Sequence, residues 1–450
     1  MISSSIFRSY DIRGIYLQDL DEDAAFSIGK ALVKYTEAKK IVVGQDMRIS
    51  SPDLFNALCH GIIDAGCDVV DLGQIPTEIL YFAVGKYGYD AGVMITASHN
   101  PKEYNGFKLI KKAEGGFSMI RGRDLYEIVS NQDNTIKGSK LGVIEEKDIR
   151  EDYIKHISSL VGLGGIGPLK IVFDAGNGMA ARIIPLVDLP SVQMVQLNFG
   201  IDGNFPNHPS NPLEEGSINQ VRDLINKEKA DFGFIFDGDA DRIFLLNERG
   251  ELVPADCTLL LLAKYLLGVT PGAGVAYNTI CSKSVPEFIK KWGGNPIKTQ
   301  VGFVNVREGV IKNDGVMGGE LSGHYCFKGN YYGDSGLMAL LIALRVISDS
   351  GKKVSELMAE LCLYEKSSEI NFLVENKDQI IDEVKKEYSS GRQEYLDGVT
   401  VEYIDWWFNL RPSNTEPFLR LTIEADTKKL LEEKKSELRG LVGRLSKVEN

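Results

Sequence analysis

Phe232-Gly233-Phe234-Ile235-Phe236-Asp237-Gly238-Asp239-Ala240-Asp241-Arg242 decides the fold class. An apolar run ends abruptly in an acidic, Gly-containing turn. A strand with no polar side has no face to offer water, so it belongs in a sheet covered on both faces. The same signature recurs at Ile41-Val42-Val43-Gly44, Val69-Val70-Asp71-Leu72-Gly73, Gly92-Val93-Met94-Ile95-Thr96 and Ile171-Val172-Phe173-Asp174. A helix-like stretch follows each run. The expected architecture is therefore α/β, with mixed sheets sandwiched by helices. In such folds the reactive residues lie just past the carboxyl ends of strands.

The runs fall into blocks, which predict four domains: 1–155, 156–255, 256–365 and 366–450. A charged stretch, Glu145-Glu146-Lys147-Asp148, precedes a predicted helix near the first boundary, and a Gly-rich break from Gly162 to Gly167 follows it. The last block differs. It reads as a smaller α+β domain, with a charged helix over 377–388, a strand at Val399–Tyr403 and a Lys/Glu-rich helix over 427–447. A chain of 450 residues is long enough for several cores. Its formal charge of −12 argues against a nucleic-acid partner, which requires clustered positive charge. The apolar stretches near 257–269 and 336–347 contain Lys264 and Arg345 and are too short to span a bilayer, so they read as buried helices. No signal peptide is visible, and no two of the six cysteines have CxxC spacing. Reduced thiols in a cytoplasmic protein are the expectation.

Five motifs carry chemistry. Thr96-Ala97-Ser98-His99-Asn100-Pro101 follows an apolar strand and sets a hydroxyl beside an imidazole; a strand-end turn satisfying its own backbone reads the same. Asn105-Gly106-Phe107-Lys108 adds a turn and a lysine, by itself a solvated charge or an acid/base group. Asp237, Asp239 and Asp241 alternate, a density of charge that suits a hard divalent cation, with Arg242 beside them to hold an anionic oxygen. An acidic turn, an EF-hand loop (with Arg242 where Gly is required) and an aspartyl-phosphate enzyme using Asp237 compete with that reading. In Gly318-Gly319-Glu320-Leu321-Ser322-Gly323-His324 the three polar side chains alternate, so on an extended segment Glu320, Ser322 and His324 share one face and suit a polyol. Gly302 and Phe303 lie at an upstream strand-to-turn transition. Arg411-Pro412-Ser413-Asn414-Thr415-Glu416-Pro417 offers a phosphate cradle or a hydrogen-bonded turn. Near the N-terminus, Arg8, Tyr10 and Arg13 in Phe7-Arg8-Ser9-Tyr10-Asp11-Ile12-Arg13-Gly14 are further candidates to reach a phosphate.

Together and in this order, the motifs YDIRG, TASHNP, NGFK, DAGNG, DGDADR, GGELSGH and RPSNTEP closely resemble the α-D-phosphohexomutase superfamily, within it the phosphomannomutase/phosphoglucomutase group. The resemblance covers essentially the whole chain. It implies three α/β domains of one topology and a smaller mobile fourth domain around a central cleft. The first carries a phosphoserine loop, the second a metal loop, the third a sugar loop and the fourth a phosphate loop. By the same resemblance Ser98 matches the phosphorylated serine, and Asp237, Asp239 and Asp241 match ligands of one Mg²⁺, joined by an oxygen on Ser98. Arg13, His99 and Lys108 match residues around the reacting phosphate, the last two as acid/base candidates. Arg242 matches a substrate contact, Glu320, Ser322 and His324 match the sugar-binding loop, and Gly302 matches a family glycine; with these, Arg8 and Tyr10 are expected to bind substrate. Arg411, Ser413, Asn414 and Thr415 match the loop for the phosphate that is not transferred.

The implied reaction interconverts hexose 1-phosphate and hexose 6-phosphate, of mannose or glucose, through a hexose 1,6-bisphosphate that also serves as activator. Small hexose phosphates are the expected partners, with no nucleic acid and no membrane, in a monomer or homodimer. Loops like GEMSGH go with glucose and mannose phosphates, and this chain has Leu321 at the central position, where the similar phosphoglucosamine mutases tend to carry Gln; those enzymes also tend to carry Gly at the position of Asn414, which therefore favours the hexose group. Phe303 stands where some members have histidine, and Ile280, with Lys283 nearby, where those members have a substrate lysine. An aspartyl-phosphate phosphatase or a non-catalytic sugar-phosphate-binding protein would be functions of another class.

Overall fold

A computed structural model describes residues 2–131, 136–413 and 417–446. The chain divides into two compact units: residues up to 258 together with 322–355, and residues 259–321 together with 356 onward.

Two sheets lie wholly within the first unit. The larger is ordered Ile12–Ile15, Tyr104–Ala113, Ala91–Ile95, Lys40–Gln45, Asp68–Gln74 and Ile144–Glu146, with Gly116–Ile120 pairing back onto Tyr104–Ala113. Its centre is parallel, while Tyr104–Ala113 runs antiparallel to both of its neighbours in that order. Alternate residues separate its faces. Ile41, Val43, Val69, Val93, Ile95 and Leu109 share a core with helices Glu22–Thr36 and Ser51–Asp64. Gly92 and Ile110 lie on the other face, beneath Leu80 and Val84 of helix Thr77–Tyr87. Both faces are thus dry, as uniformly apolar strands require.

The second sheet is ordered Ile243–Leu246, Phe232–Phe236, Leu169–Asp174 and Val192–Leu197, antiparallel at its first pair and parallel beyond. Helix Asn219–Glu228 buries Val221 and Ile225 against Val172, Ile235 and Phe244. On the opposite side, Gly336 opens helix Gly336–Ser350 within contact of the Phe236 ring and the Ala240 carbonyl. Short strands Tyr325–Phe327 and Gly333–Asp334 pair antiparallel in the same unit.

The other unit holds parallel strands Asn295–Thr299, Gly274–Asn278 and Met317–Gly319, with helices Ser284–Lys291 and Phe303–Lys312. It also holds an antiparallel sheet ordered Glu365–Lys366, Phe418–Ala425, Trp406–Pro412, Val399–Glu402 and Arg392–Glu394, with Ile370–Leu373 added to Phe418–Ala425. Helices Lys377–Glu387 and Lys428–Leu445 pack Ile380, Val384, Leu431 and Leu438 onto Phe408, Leu419 and Leu421. The fold is therefore three mixed α/β domains followed by a C-terminal antiparallel-sheet domain.

Local readings fail at three places. Asn105-Gly106-Phe107-Lys108 is not a turn but part of strand Tyr104–Ala113. The glycine serves close approach, since a Cβ on Gly106 would lie 2.0 Å from the Ile12 carbonyl oxygen of the next strand. Residues 320–323 are not extended: the chain leaves strand Met317–Gly319 in a turn with Gly323 at φ 84° before His324, so alternation does not set three side chains on one face. Cys59, Cys67, Cys281 and Cys326 are buried and not in disulfides, but Cys257 and Cys362 each take part in one, against the expectation of six reduced thiols. No helix among the described residues is long and apolar enough to cross a membrane.

Candidate active site

Ser98 lies three residues past strand Ala91–Ile95 and Asp237 directly follows strand Phe232–Phe236, so two strand ends deliver the centre of the site. Ser98 is buried and left-handed, at φ 51°. Its N–H donates to Thr96 Oγ1 at 2.8 Å. Its Oγ lies 3.1 Å from Asp237 Oδ2 and 3.2 Å from His99 Nδ1. The loop is clasped from behind by Arg48, which follows strand Lys40–Gln45. The Arg48 guanidinium donates to the carbonyls of Ser98 (2.8 Å), Asn100 (2.7 Å), Pro101 (2.7 Å) and Tyr104 (2.9 Å), and to Asp46 Oδ2 (3.2 Å). Ser210 Oγ reaches the Ser98 carbonyl at 3.1 Å.

Asp237, Asp239 and Asp241 are fully buried, and each offers one oxygen within 4.8 Å of the others. Lys108 is buried as well, not solvated. Its Nζ donates to Asp239 Oδ2 at 2.7 Å and Asp241 Oδ2 at 2.5 Å. Thr77 adds a hydroxyl to Asp239 Oδ2 at 2.5 Å. Asp239 Oδ1 and Asp241 Oδ1 are buried yet accept no hydrogen bond among the described residues. Buried acceptors are normally satisfied. Three carboxylates with two orphaned oxygens fit a hard divalent cation.

The charges are tuned by one another. Burial, then Asp239 and Asp241, push the Asp237 carboxyl well above its usual range. Burial opposes ionisation of Asp241 too, but Lys108, His324 and Arg242 outweigh it and hold that group well below. Burial disfavours a charged Lys108, yet Asp239 and Asp241 hold its pKa well above normal, so it stays an ammonium. Burial, then Arg242, Arg13, His324 and Lys108, keep His99 well below the usual histidine value, hence neutral.

Arg242 and His324 complete this group. Arg242 Nε lies 3.3 Å from His324 Nε2 and 3.5 Å from Asp237 Oδ2. His324 Nε2 is 3.5 Å from Asp241 Oδ1, and its Nδ1 is 2.8 Å from Ser322 Oγ. Arg13 is fixed by Asp11 Oδ2 and Asn100 Oδ1, both at 2.5 Å, while its buried Nε donates to no acceptor among the described residues. Arg8, exposed, and Tyr10, half-buried, lie in the loop ahead of strand Ile12–Ile15.

In the other unit, buried Glu320 accepts from the Gly302 N–H at 3.2 Å and from Asn278 Nδ2 at 3.4 Å. Gly302, at φ 117°, starts helix Phe303–Lys312. Arg411 lies one residue from the end of strand Trp406–Pro412 and pairs with Glu369 at 2.6 Å, and its buried Nε has no hydrogen-bond partner among the described residues. Ser413 donates its N–H to the Phe418 carbonyl at 2.8 Å. Asn414 and Thr415 lie outside the described residues.

Arg48, Thr77 and Ser210 are neighbours of the site that motif reading passes over. Arg48 had a signal, because it lies past the carboxyl end of an apolar strand as Ser98 and Asp237 do.

Four sequence-family models match in order along the chain. They describe phosphoglucomutase/phosphomannomutase alpha/beta/alpha domain I over residues 4–135, domain II over 151–250, domain III over 254–364 and the C-terminal domain over 369–441. A phosphomannomutase of Methanocaldococcus jannaschii is 36% identical over 449 residues, 98% of each chain. A phosphomannomutase/phosphoglucomutase of Pseudomonas aeruginosa is 33% identical over 450 residues, 97% of this chain and 95% of the relative. A crystal structure of a phosphoglucomutase/phosphomannomutase family protein from Burkholderia thailandensis superposes with a TM-score of 0.88 at 31% identity, over 100% of this chain and 99% of the other.

Proposed function

The chain belongs to the phosphoglucomutase/phosphomannomutase family of the α-D-phosphohexomutase superfamily and is an intramolecular phosphotransferase of that type; from that premise we propose that it interconverts the 1- and 6-phosphates of mannose and glucose, with Ser98 as phosphoryl carrier. The observation that carries the proposal is the setting of Ser98 Oγ, 3.1 Å from Asp237 and 3.2 Å from His99 Nδ1.

In the first half-reaction the P–O bond to Ser98 Oγ breaks and a new one forms to the free hydroxyl of a hexose monophosphate. His99, held neutral, takes the hydroxyl proton and later returns it. The resulting hexose 1,6-bisphosphate turns end for end, and its other phosphate goes back to Ser98. The transition state is loose, so catalysis is chiefly placement and charge neutralisation. When bound by Asp237, Asp239 and Asp241, Mg²⁺ supplies part of that neutralisation. Lys108, Arg242 and Arg13 supply the rest, and the charged state of Lys108 suits it to an electrostatic role. We assign Glu320, Ser322, His324 and Gly302 to the sugar hydroxyls, and Arg8 and Tyr10 to the substrate. Arg411, Ser413, Asn414 and Thr415 are assigned to the phosphate at rest, a reading supported by the buried Nε of Arg411, which has no hydrogen-bond partner among the described residues.

A coupled assay with glucose 1-phosphate, mannose 1-phosphate and glucosamine 1-phosphate tests the substrate. kcat/KM should be highest for the first two. Ser98→Ala should form no acid-stable phosphoprotein from glucose 1,6-bisphosphate and should lose nearly all turnover. Near-normal turnover in that variant refutes the assignment.

A further inference from the structure

We propose that Arg48 is a positioning residue for phosphoryl transfer, fixing Ser98 and His99 by holding the backbone of their loop; the inference rests on the assignment of Ser98 as carrier. A guanidinium has five N–H donors in a planar fork. In Arg48 all five are engaged, four with the carbonyls of Ser98, Asn100, Pro101 and Tyr104 and one with Asp46. The side chain is essentially inaccessible, its Cζ 5.3 Å from the Phe205 ring centre. Asp46 is buried too, and it is fixed in turn by the Arg48 N–H at 2.9 Å and the Ser51 hydroxyl at 2.7 Å. The grip begins at strand Lys40–Gln45, so the loop is referenced to the sheet rather than to solvent.

The loop needs this grip because its shape is unfavourable by itself. A serine at φ 51° has its Cβ crowded against the backbone. Without the guanidinium the Ser98 carbonyl would keep only Ser210 Oγ and the Pro101 carbonyl only the Tyr104 N–H, and the Asn100 and Tyr104 carbonyls would lose a donor at a partly buried position. Arg48 removes both problems with one side chain, and thereby sets the direction of Ser98 Oγ and of the adjacent imidazole. Lysine offers one ammonium and no planar fork, so it cannot reproduce the four-carbonyl clasp. A misplacement of about 1 Å at reacting atoms costs on the order of 10²-fold in rate.

The test is Arg48→Lys in the full-length chain, with glucose 1,6-bisphosphate as phosphoryl donor and glucose 1-phosphate as substrate. Active sites are titrated by the phosphate bound at Ser98. We expect kcat per titrated site to fall about 10²-fold, with KM for glucose 1-phosphate unchanged within about threefold. Should Arg48→Lys not fold, Asp46→Asn replaces it; it keeps the carbonyl contacts but releases the charge that aims the fork, and about 10-fold lower kcat at constant KM is expected. A folded variant with parental kcat per site, whatever its melting temperature, overturns the proposal, because a purely structural role moves stability alone. Ser98→Ala measured in parallel separates the two readings. If it retains turnover the carrier assignment itself fails; if it is inactive while Arg48→Lys is normal, only the positioning role fails.

Discussion

Glu78 stands in the first turn of helix Thr77–Tyr87, wholly buried, with Oε2 accepting the Leu337 N–H at 3.2 Å and Oε1 without a hydrogen-bond partner among the described residues. Burial pushes its pKa up from 4.5 to about 8. Between those values the folded chain keeps a proton that the unfolded chain has released. The protonated group's contribution to stability is therefore complete below about pH 4.5 and is lost as pH rises through about 8, at roughly 1.4 kcal/mol per pH unit in between. Glu78→Gln removes the titration while conserving shape. Chemical denaturation should find the variant more stable than the parent at pH 8, by a margin that shrinks toward pH 5. A margin independent of pH would contradict the argument. The same scale shows what sequence can and cannot reveal. Ser98 and the Asp triad were legible because an apolar strand marks the residues at its carboxyl end as candidates. Lys108 read as a surface charge because a strand does not announce what packs across its ends. The partners of Arg48 are main-chain carbonyls, which leave no trace in the residue string.

Helices Glu22–Thr36 and Ser51–Asp64 meet through a reciprocal pair of glycines. A Cβ on Gly29 would lie 2.3 Å from the Leu58 carbonyl oxygen, and one on Gly61 would lie 2.1 Å from that of Phe26. Neither obstacle is a flexible side chain, so neither can rotate away. The helices also bury Ile28, Leu32, Leu54 and Leu58 over the first sheet, and forcing them apart opens that core. Overpacking costs about 1–3 kcal/mol, which outweighs the ~1 kcal/mol that alanine gains over glycine in a helix interior. Gly61→Ala should thus lower the denaturant midpoint with little change in its slope; a stabilised variant would refute the close-contact reading. Element-scale legibility rests on the same physics. Buried strands and amphipathic helices repeat a pattern, and helices Lys377–Glu387 and Lys428–Leu445 lie where that pattern placed them. The strand at Asn105–Lys108 was missed because Asn-Gly is a strong turn signal. Here glycine answers a neighbouring strand that belongs to a distant part of the sequence. The turn at 320–323 was missed because the left-handed Gly323 breaks the alternation that made Glu320, Ser322 and His324 look co-facial.

At the scale of the whole chain, the formal charge of −12 conceals how the acids are distributed. Most acids need no explanation beyond solvation, whereas three buried together at Asp237, Asp239 and Asp241 require positive charge in the folded state. Lys108 meets part of that requirement from within the chain. Arg242, 3.5 Å from Asp237, and His324, 3.5 Å from Asp241, meet more of it, and the Oδ1 atoms of Asp239 and Asp241, which accept no hydrogen bond among the described residues, suit a bound cation for the rest. An ion that binds the folded state alone stabilises it by RT ln(1 + [L]/Kd), about 2.7 kcal/mol at a hundredfold excess over Kd. MgCl₂ should therefore raise the thermal unfolding temperature more than NaCl of equal ionic strength, and Asp239→Asn should lose that excess. Lys108→Met sharpens the test, because removing one partner of a buried ion pair costs about 3–5 kcal/mol. Without Mg²⁺ that variant should be markedly less stable than the parent. With Mg²⁺ it should recover a larger share of its loss than the parent gains, since the ion then carries compensation that the ammonium no longer gives. Equal shifts from MgCl₂ and NaCl, or an undiminished Mg²⁺ shift in Asp239→Asn, would mean that the triad's charge is balanced by the chain alone.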